Sequence, residues 1–136
     1  MGHESVILLD THALIWWVSG VEPLSPKARR ALSDALKRGP VHASAISLLE
    51  IATAARRGRL SLGVPVEKWL DDLSALPELR LEPVSADIAR HAGSLGEGVH
   101  GDPIDRIVVA TARVLKLKLV TADARLRGSS EVQAIW

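Results

Sequence analysis

Apolar residues in this chain fall into short dense runs set between longer stretches with helical spacing. Ser5 to Leu9 is a β-branched apolar run without alternation, the pattern of a strand buried on both faces. His12 to Val18 reads as a short helix. Leu24-Ser25-Pro26 opens the next, with Ser25 as cap and Pro26 in the first turn, and Gly39-Pro40 stops it after about Arg38. Val41 to Ala43 is a short strand. Ser44 is expected to cap a helix running to about Arg57, where Gly58 ends it. Helices are expected over Val66 to Leu76, Ala86 to Leu95 and Pro103 to Leu115, and strands over Leu79 to Val84, Lys118 to Thr121 and Val132 to Ile135.

Strands alternating with helices imply parallel βαβ units with right-handed crossovers. The expected fold class is α/β: a three-layer α/β/α sandwich around a central parallel sheet of four or five strands. At 136 residues the chain, 1–136, reads as a single domain. In such sheets ligands bind beyond the carboxyl ends of the strands. Asp10 and Asp123 each follow an apolar strand run, Val6-Ile7-Leu8-Leu9 and Leu119-Val120-Thr121-Ala122. Asp102 and Asp105 open the apolar helix, and Glu50 interrupts Ile46 to Ala52. An uncompensated buried carboxylate costs roughly several kcal/mol, so such groups are protonated, paired or bound to a cation. Five acids converging on one sheet edge would repel one another, and a divalent metal relieves that repulsion.

Each acid also has a plain structural use. Asp102 precedes Pro103 and can cap the helix, with Asp105 at the capping-box position. Residues three apart share a helix face, however, so the pair can meet one ion. Asp123 can cap a turn over Ala124 to Leu126. Glu50 can be an exposed helix glutamate, although Thr53 and Ala54 stand where a supporting cation would be. Asp10, at the end of a buried strand, has the fewest structural uses.

Composition narrows the chemistry. Apolar residues make up 47% of the chain, enough for a packed core, and the net charge of +1 carries no general polyanion signal. Cysteine is absent, which excludes disulfides, thiol catalysis and thiolate-bound zinc. No apolar run reaches the roughly 18 residues of a membrane span, and Asp10 interrupts the early apolar stretch, so a soluble cytoplasmic protein with no membrane partner is expected. The histidines show no metal-binding spacing, and only His100 falls near the acids. Arg56, Arg57 and Arg59 form a basic helix end, which suits either the helix dipole or RNA phosphate.

Several blocks resemble a known family. Leu8-Leu9-Asp10-Thr11-His12-Ala13-Leu14-Ile15-Trp16-Trp17 is similar to the opening of PIN-domain ribonucleases of the VapC toxin type, as is Ser44-Ala45-Ile46-Ser47-Leu48-Leu49-Glu50-Ile51-Ala52. His100-Gly101-Asp102-Pro103-Ile104-Asp105-Arg106 resembles the family's H-x-D-P-F-D-R block, and Leu119 to Asp123 its last acidic motif. Four blocks in the right order cover nearly the whole chain. The resemblance implies a Mg²⁺-dependent endoribonuclease, with Mn²⁺ able to substitute, acting as the toxin of a toxin–antitoxin pair. It implies Asp10, Glu50, Asp105 and Asp123 as the catalytic acids, Asp10, Asp105 and Asp123 as metal ligands, and Asp102, Thr11 and Thr121 as accessory groups. Arg56, Arg57, Arg59 and Arg106 are candidates for RNA contact. The implied partners are RNA, a second copy of the chain and a cognate antitoxin, whose tail would lie in a hydrophobic groove; Trp16, Trp17 and the Pro26 to Leu36 helix suit either the walls of that groove or the core. Ile104 replaces the family's phenylalanine, and Ala54 stands where relatives often carry lysine.

Other functions fit less well. A nuclease that processes RNA without an antitoxin has the same sequence signature, and so has a catalytically inactive binding module. A phosphoacceptor receiver needs paired acids after the first strand and a late lysine, which are missing. A haloacid-dehalogenase-type phosphatase needs D-x-D, and Asp10-Thr11-His12 lacks the second acid.

Overall fold

The computed structural model describes residues 6–20 and 23–136. Five strands form one sheet: β1 (Ile7–Leu9), β2 (Val41–Ser44), β3 (Leu79–Glu82), β4 (Lys118–Val120) and β5 (Ala134–Ile135). Their order is β3-β2-β1-β4-β5, and every neighbouring pair is parallel. The expected start of the first strand at Ser5 lies outside the described residues. β3, β4 and β5 are shorter than expected, ending at Glu82, ending at Val120 and starting at Ala134, while β2 extends one residue further, to Ser44.

The helices are α1 (Thr11–Ser19), α2 (Pro26–Leu36), α3 (Ile46–Arg56), α4 (Val66–Ser74), α5 (Ala86–Ser94), α6 (Pro103–Leu115) and α7 (Ala124–Arg127). Successive side chains of a strand point to opposite faces, and β1 shows the consequence. Ile7 and Leu9 pack with Ala13, Leu14, Ala28, Leu32, Ile51 and Leu73, from α1 to α4. Leu8 packs with Ile88, Ala92, Val108, Val109 and Ala112, from α5 and α6. Leu8 and Leu9 have no exposed surface. The unalternating apolar run of β1 is thus a strand with helices on both faces.

Local chemistry sets the helix ends. Ser25 Oγ accepts from Ala28 N at 3.0 Å with Pro26 in the first turn, as the sequence predicts. Ser44 differs from expectation. The cap position of α3 is Ala45, while Ser44 still belongs to β2, and its Oγ accepts from Ile46 N at 3.1 Å. Between α6 and β4 the chain reverses through Lys116 in the left-handed region, φ 60°.

β1 is the pivot of the topology. The chain leaves β1 to build β2 and β3 on one side and later returns to add β4 and β5 on the other. The carboxyl ends of β1 and β4 therefore flank the switch point of the sheet, where an α/β fold opens a crevice. Among the described residues, no helix is long and apolar enough to cross a membrane.

Candidate metal centre

Asp10 follows β1 directly and caps α1. Its Oδ1 accepts from Ala13 N at 2.9 Å, and its own N–H donates to Val120 O at 3.1 Å, so the acid is fixed between two strands and a helix. Only 7% of Asp10 is exposed. Burial raises its pKa above the ordinary 3.8, opposed by hydrogen bonds from the Thr121 hydroxyl and the Ala13 amide. Thr121 Oγ1 also accepts from Asp123 N at 3.0 Å, so one buried hydroxyl braces two acids.

Asp102 caps α6, accepting from Ile104 N at 2.9 Å and Asp105 N at 3.4 Å. That cap sets Asp105 one turn into the helix and facing the crevice. Burial, then the neighbouring Asp102 carboxylate, raises Asp105 to about 6. Glu50 and Asp123 push the same way, and His100 opposes them. Asp123 caps α7, accepting from Arg125 N at 2.9 Å, and the Arg125 side chain holds its pKa below the ordinary value. Arg125 Nη2 lies 3.0 Å from Asp123 Oδ2 and 3.9 Å from Asp105 Oδ2.

Asp10, Thr11, Glu50, Asp102, Asp105 and Asp123 all line one cavity of about 380 Å³, together with His12 and Arg125. The five acids that the sequence scatters thus share one crevice at the expected sheet edge. Among the described residues the tightest donor set is Asp105 and Asp123 of the cavity with His100 beside it, one ligand atom of each lying within 4.8 Å of the others. Asp10 is the expected third metal ligand; the structure places it in the same cavity but outside that tightest trio. His100 Nε2 sits 2.9 Å from Asp105 Oδ2, out of line for a hydrogen bond, buried, and with no other hydrogen-bond partner among the described residues.

This donor set fits a divalent cation. Carboxylate oxygens are hard donors suited to Mg²⁺ or Mn²⁺, and imidazole tolerates the latter. Burial is the first cause of the raised pKa of both Asp10 and Asp105, and a bound cation would favour their charged forms. His100 carried only a weak signal in the sequence, its place two residues before Asp102. Arg125 carried none.

The accessory and basic residues divide. Thr121 braces the acids, but Thr11 turns its hydroxyl to Ser47 Oγ at 2.8 Å and ties α1 to α3. Arg106, a candidate for RNA contact, turns its guanidinium inward. Its guanidinium donates to Ala92 O at 3.1 Å, to Val99 O at 2.9 Å and to Leu95 O. Three inward carbonyls at the end of α5 and in the following loop have claimed it. Arg56 lies with Leu60 to Val66, away from the acids. Arg57 and Arg59 line a groove of about 590 Å³ that continues from the acids past Ile15, Trp16, Leu49, Leu60 and Ile104. Trp16 lines this groove and Trp17 does not, while both, with Leu36 of α2, pack against the core cluster on the α1 to α4 face.

Residues 7–129 match the PIN domain family. The chain is 35% identical over 123 residues to Ribonuclease VapC22 of Mycobacterium tuberculosis, covering 90% of this chain and 91% of that protein. Among solved structures, a toxin–antitoxin complex from Klebsiella pneumoniae is similar at 25% identity, with TM-score 0.61, over 93% of this chain and 94% of that one. VapBC2 from Rickettsia felis, bound to a promoter DNA fragment, shares the fold with TM-score 0.70 at 16% identity, over 95% and 96% of the two chains.

Proposed function

The chain belongs to the PIN-domain family, and from that premise we propose that it is a metal-dependent endoribonuclease and the toxin of a toxin–antitoxin pair. The observation that carries the reading is the convergence of Asp10, Glu50, Asp102, Asp105 and Asp123 on one crevice, with His100, Asp105 and Asp123 close enough to share an ion. The relative that is 35% identical is a ribonuclease by name.

In this reading Asp105 and Asp123 would hold Mg²⁺ or Mn²⁺, with Asp10 on the inner side of the site and His100 within reach. Such an ion, when bound, lowers the pKa of a water and neutralises phosphate charge. Glu50 forms no hydrogen bond or ion pair with a described residue, which leaves its carboxylate to orient the attacking water and accept its proton. The water oxygen bonds to phosphorus as the bond to the 3′ oxygen breaks and that oxygen takes up a proton. The products carry a 5′-phosphate and a 3′-hydroxyl. No side chain in the crevice is placed as a covalent nucleophile.

The groove beside the crevice supports the antitoxin partner. It is apolar along Ile15, Trp16, Leu60 and Ile104, and it includes Leu49, which is 55% exposed. Arg57 and Arg59 at its rim suit an acidic flank of a peptide or the RNA backbone.

The test is cleavage of single-stranded RNA by the purified protein with Mg²⁺, with EDTA, and by Asp10→Asn. The expected result is cleavage with Mg²⁺ that leaves 5′-phosphates, none in EDTA, and none from a folded Asp10→Asn protein. Undiminished cleavage in EDTA or by Asp10→Asn contradicts the reading.

A further inference from the structure

Arg125 is the one lysine or arginine lining the acid crevice among the described residues. Its Nε lies 3.3 Å from Asp123 Oδ1, its Nη2 3.0 Å from Asp123 Oδ2, and the same Nη2 3.9 Å from Asp105 Oδ2. The side chain is 64% exposed, so these charges rather than packing hold it. It straddles the two carboxylates that, with His100, make the tightest donor set. A divalent ion entering between them needs the lone pairs that the guanidinium now takes, and the two cations repel at that range.

The displaced side chain stays anchored in the first turn of α7, on the rim of the crevice. A phosphodiester seated at the acids lies within reach of that rim, and a guanidinium takes two phosphate oxygens at once. The other arginines near the site are already occupied or lie elsewhere. Arg106 is spent on carbonyls, and Arg57 and Arg59 line the neighbouring groove.

We propose that Arg125 is the crevice's resident cation, neutralising Asp105 and Asp123 until a divalent ion displaces it, and that it then contacts the RNA phosphate. This rests on the nuclease reading above. It makes opposite predictions for two ligands, which a purely structural arginine does not.

The experiment has two arms. Mn²⁺ binding is followed by electron paramagnetic resonance, without RNA, for the wild type, Arg125→Ala, Arg125→Lys and Arg127→Ala. Arg125→Ala should bind Mn²⁺ about two- to fivefold more tightly, the size of one lost solvent-exposed ion pair, and Arg127→Ala should match the wild type. In the second arm, a mixed-sequence single-stranded RNA is titrated at saturating Mn²⁺ in the Asp10→Asn background. Adding Arg125→Ala should weaken binding and lower the slope of log affinity against log salt by about 0.7, one phosphate contact on a single strand. Arg125→Lys should keep that slope. Unchanged Mn²⁺ affinity in Arg125→Ala, or an unchanged salt slope, overturns the proposal. A wild type that binds no Mn²⁺ overturns the nuclease reading and this proposal together, whereas tight Mn²⁺ binding indifferent to Arg125 overturns the proposal alone.

Discussion

Asp105 gives the site one of its pH dependences. Its carboxyl titrates at about 6 in the fold against an ordinary 3.8, raised first by burial and then by Asp102. Between those values the folded chain keeps a proton that the unfolded chain has released, so this group's contribution to stability falls as pH rises through the window. In EDTA, Asp105→Asn should therefore gain melting temperature relative to the wild type on going from about pH 4 to about pH 7. A gap that stays constant across that range would show that Asp105 does not titrate there. Asp123 has the opposite sign. Arg125 lowers its pKa, so its stabilisation is present above 3.8 and lost as pH falls through the lower value. Asp10 was legible because a carboxylate at the end of a buried strand has few structural uses, whereas Glu50, Asp105 and Asp123 each had a structural use of their own and stood out only as members of an ordered set of motifs. Arg125 was not legible. Its role depends on where a long flexible side chain reaches, and nothing in Ala124-Arg125-Leu126-Arg127 marks one arginine over the other.

The helix α6 joins the site to the core. Its middle, Val108 to Ala112, is buried, its cap Asp102 sets the first turn, and Arg106 reaches back to the end of α5 and the loop that carries His100. Removing three hydrogen bonds from a charged group to partly buried carbonyls is costly. Arg106→Ala should lose about 3 kcal/mol in urea unfolding and speed amide exchange at Val99. Unchanged stability with weakened RNA binding would instead return Arg106 to the RNA-contact role. At the other end of α6, Lys116 holds φ 60°, a conformation that glycine adopts without strain. Lys116→Gly should stabilise the chain by about 0.5 to 1 kcal/mol in the same assay, and destabilisation would show that the lysine side chain contributes more than the strain costs. The α6 boundaries were readable from Asp102-Pro103 and the apolar period. The strand ends were less so, since a residue's membership of a ladder depends on its neighbour across the sheet. Ser44 illustrates this: its sequence context marks a helix cap, while its pairing with Glu82 keeps it in β2.

At the scale of the molecule, the parallel sheet and its flanking helices followed from alternation alone, but the strand order did not. Placing β1 between β2 and β4 requires long-range contacts that a local pattern cannot encode, and that placement brings Asp10 beside Asp123. The groove shows the same limit. Trp16 and Trp17 are adjacent and alike in sequence, yet one lines the groove beside the acids and the other does not. The central claim is that this topology builds a site for a divalent ion out of acids from four separate segments. The most direct measurement is an anomalous-scattering map of crystals grown with Mn²⁺. It should show a peak in the crevice within coordination distance of the Asp105 and Asp123 carboxylates, with Asp10 beside it. A crevice without a peak at saturating Mn²⁺ would contradict the account.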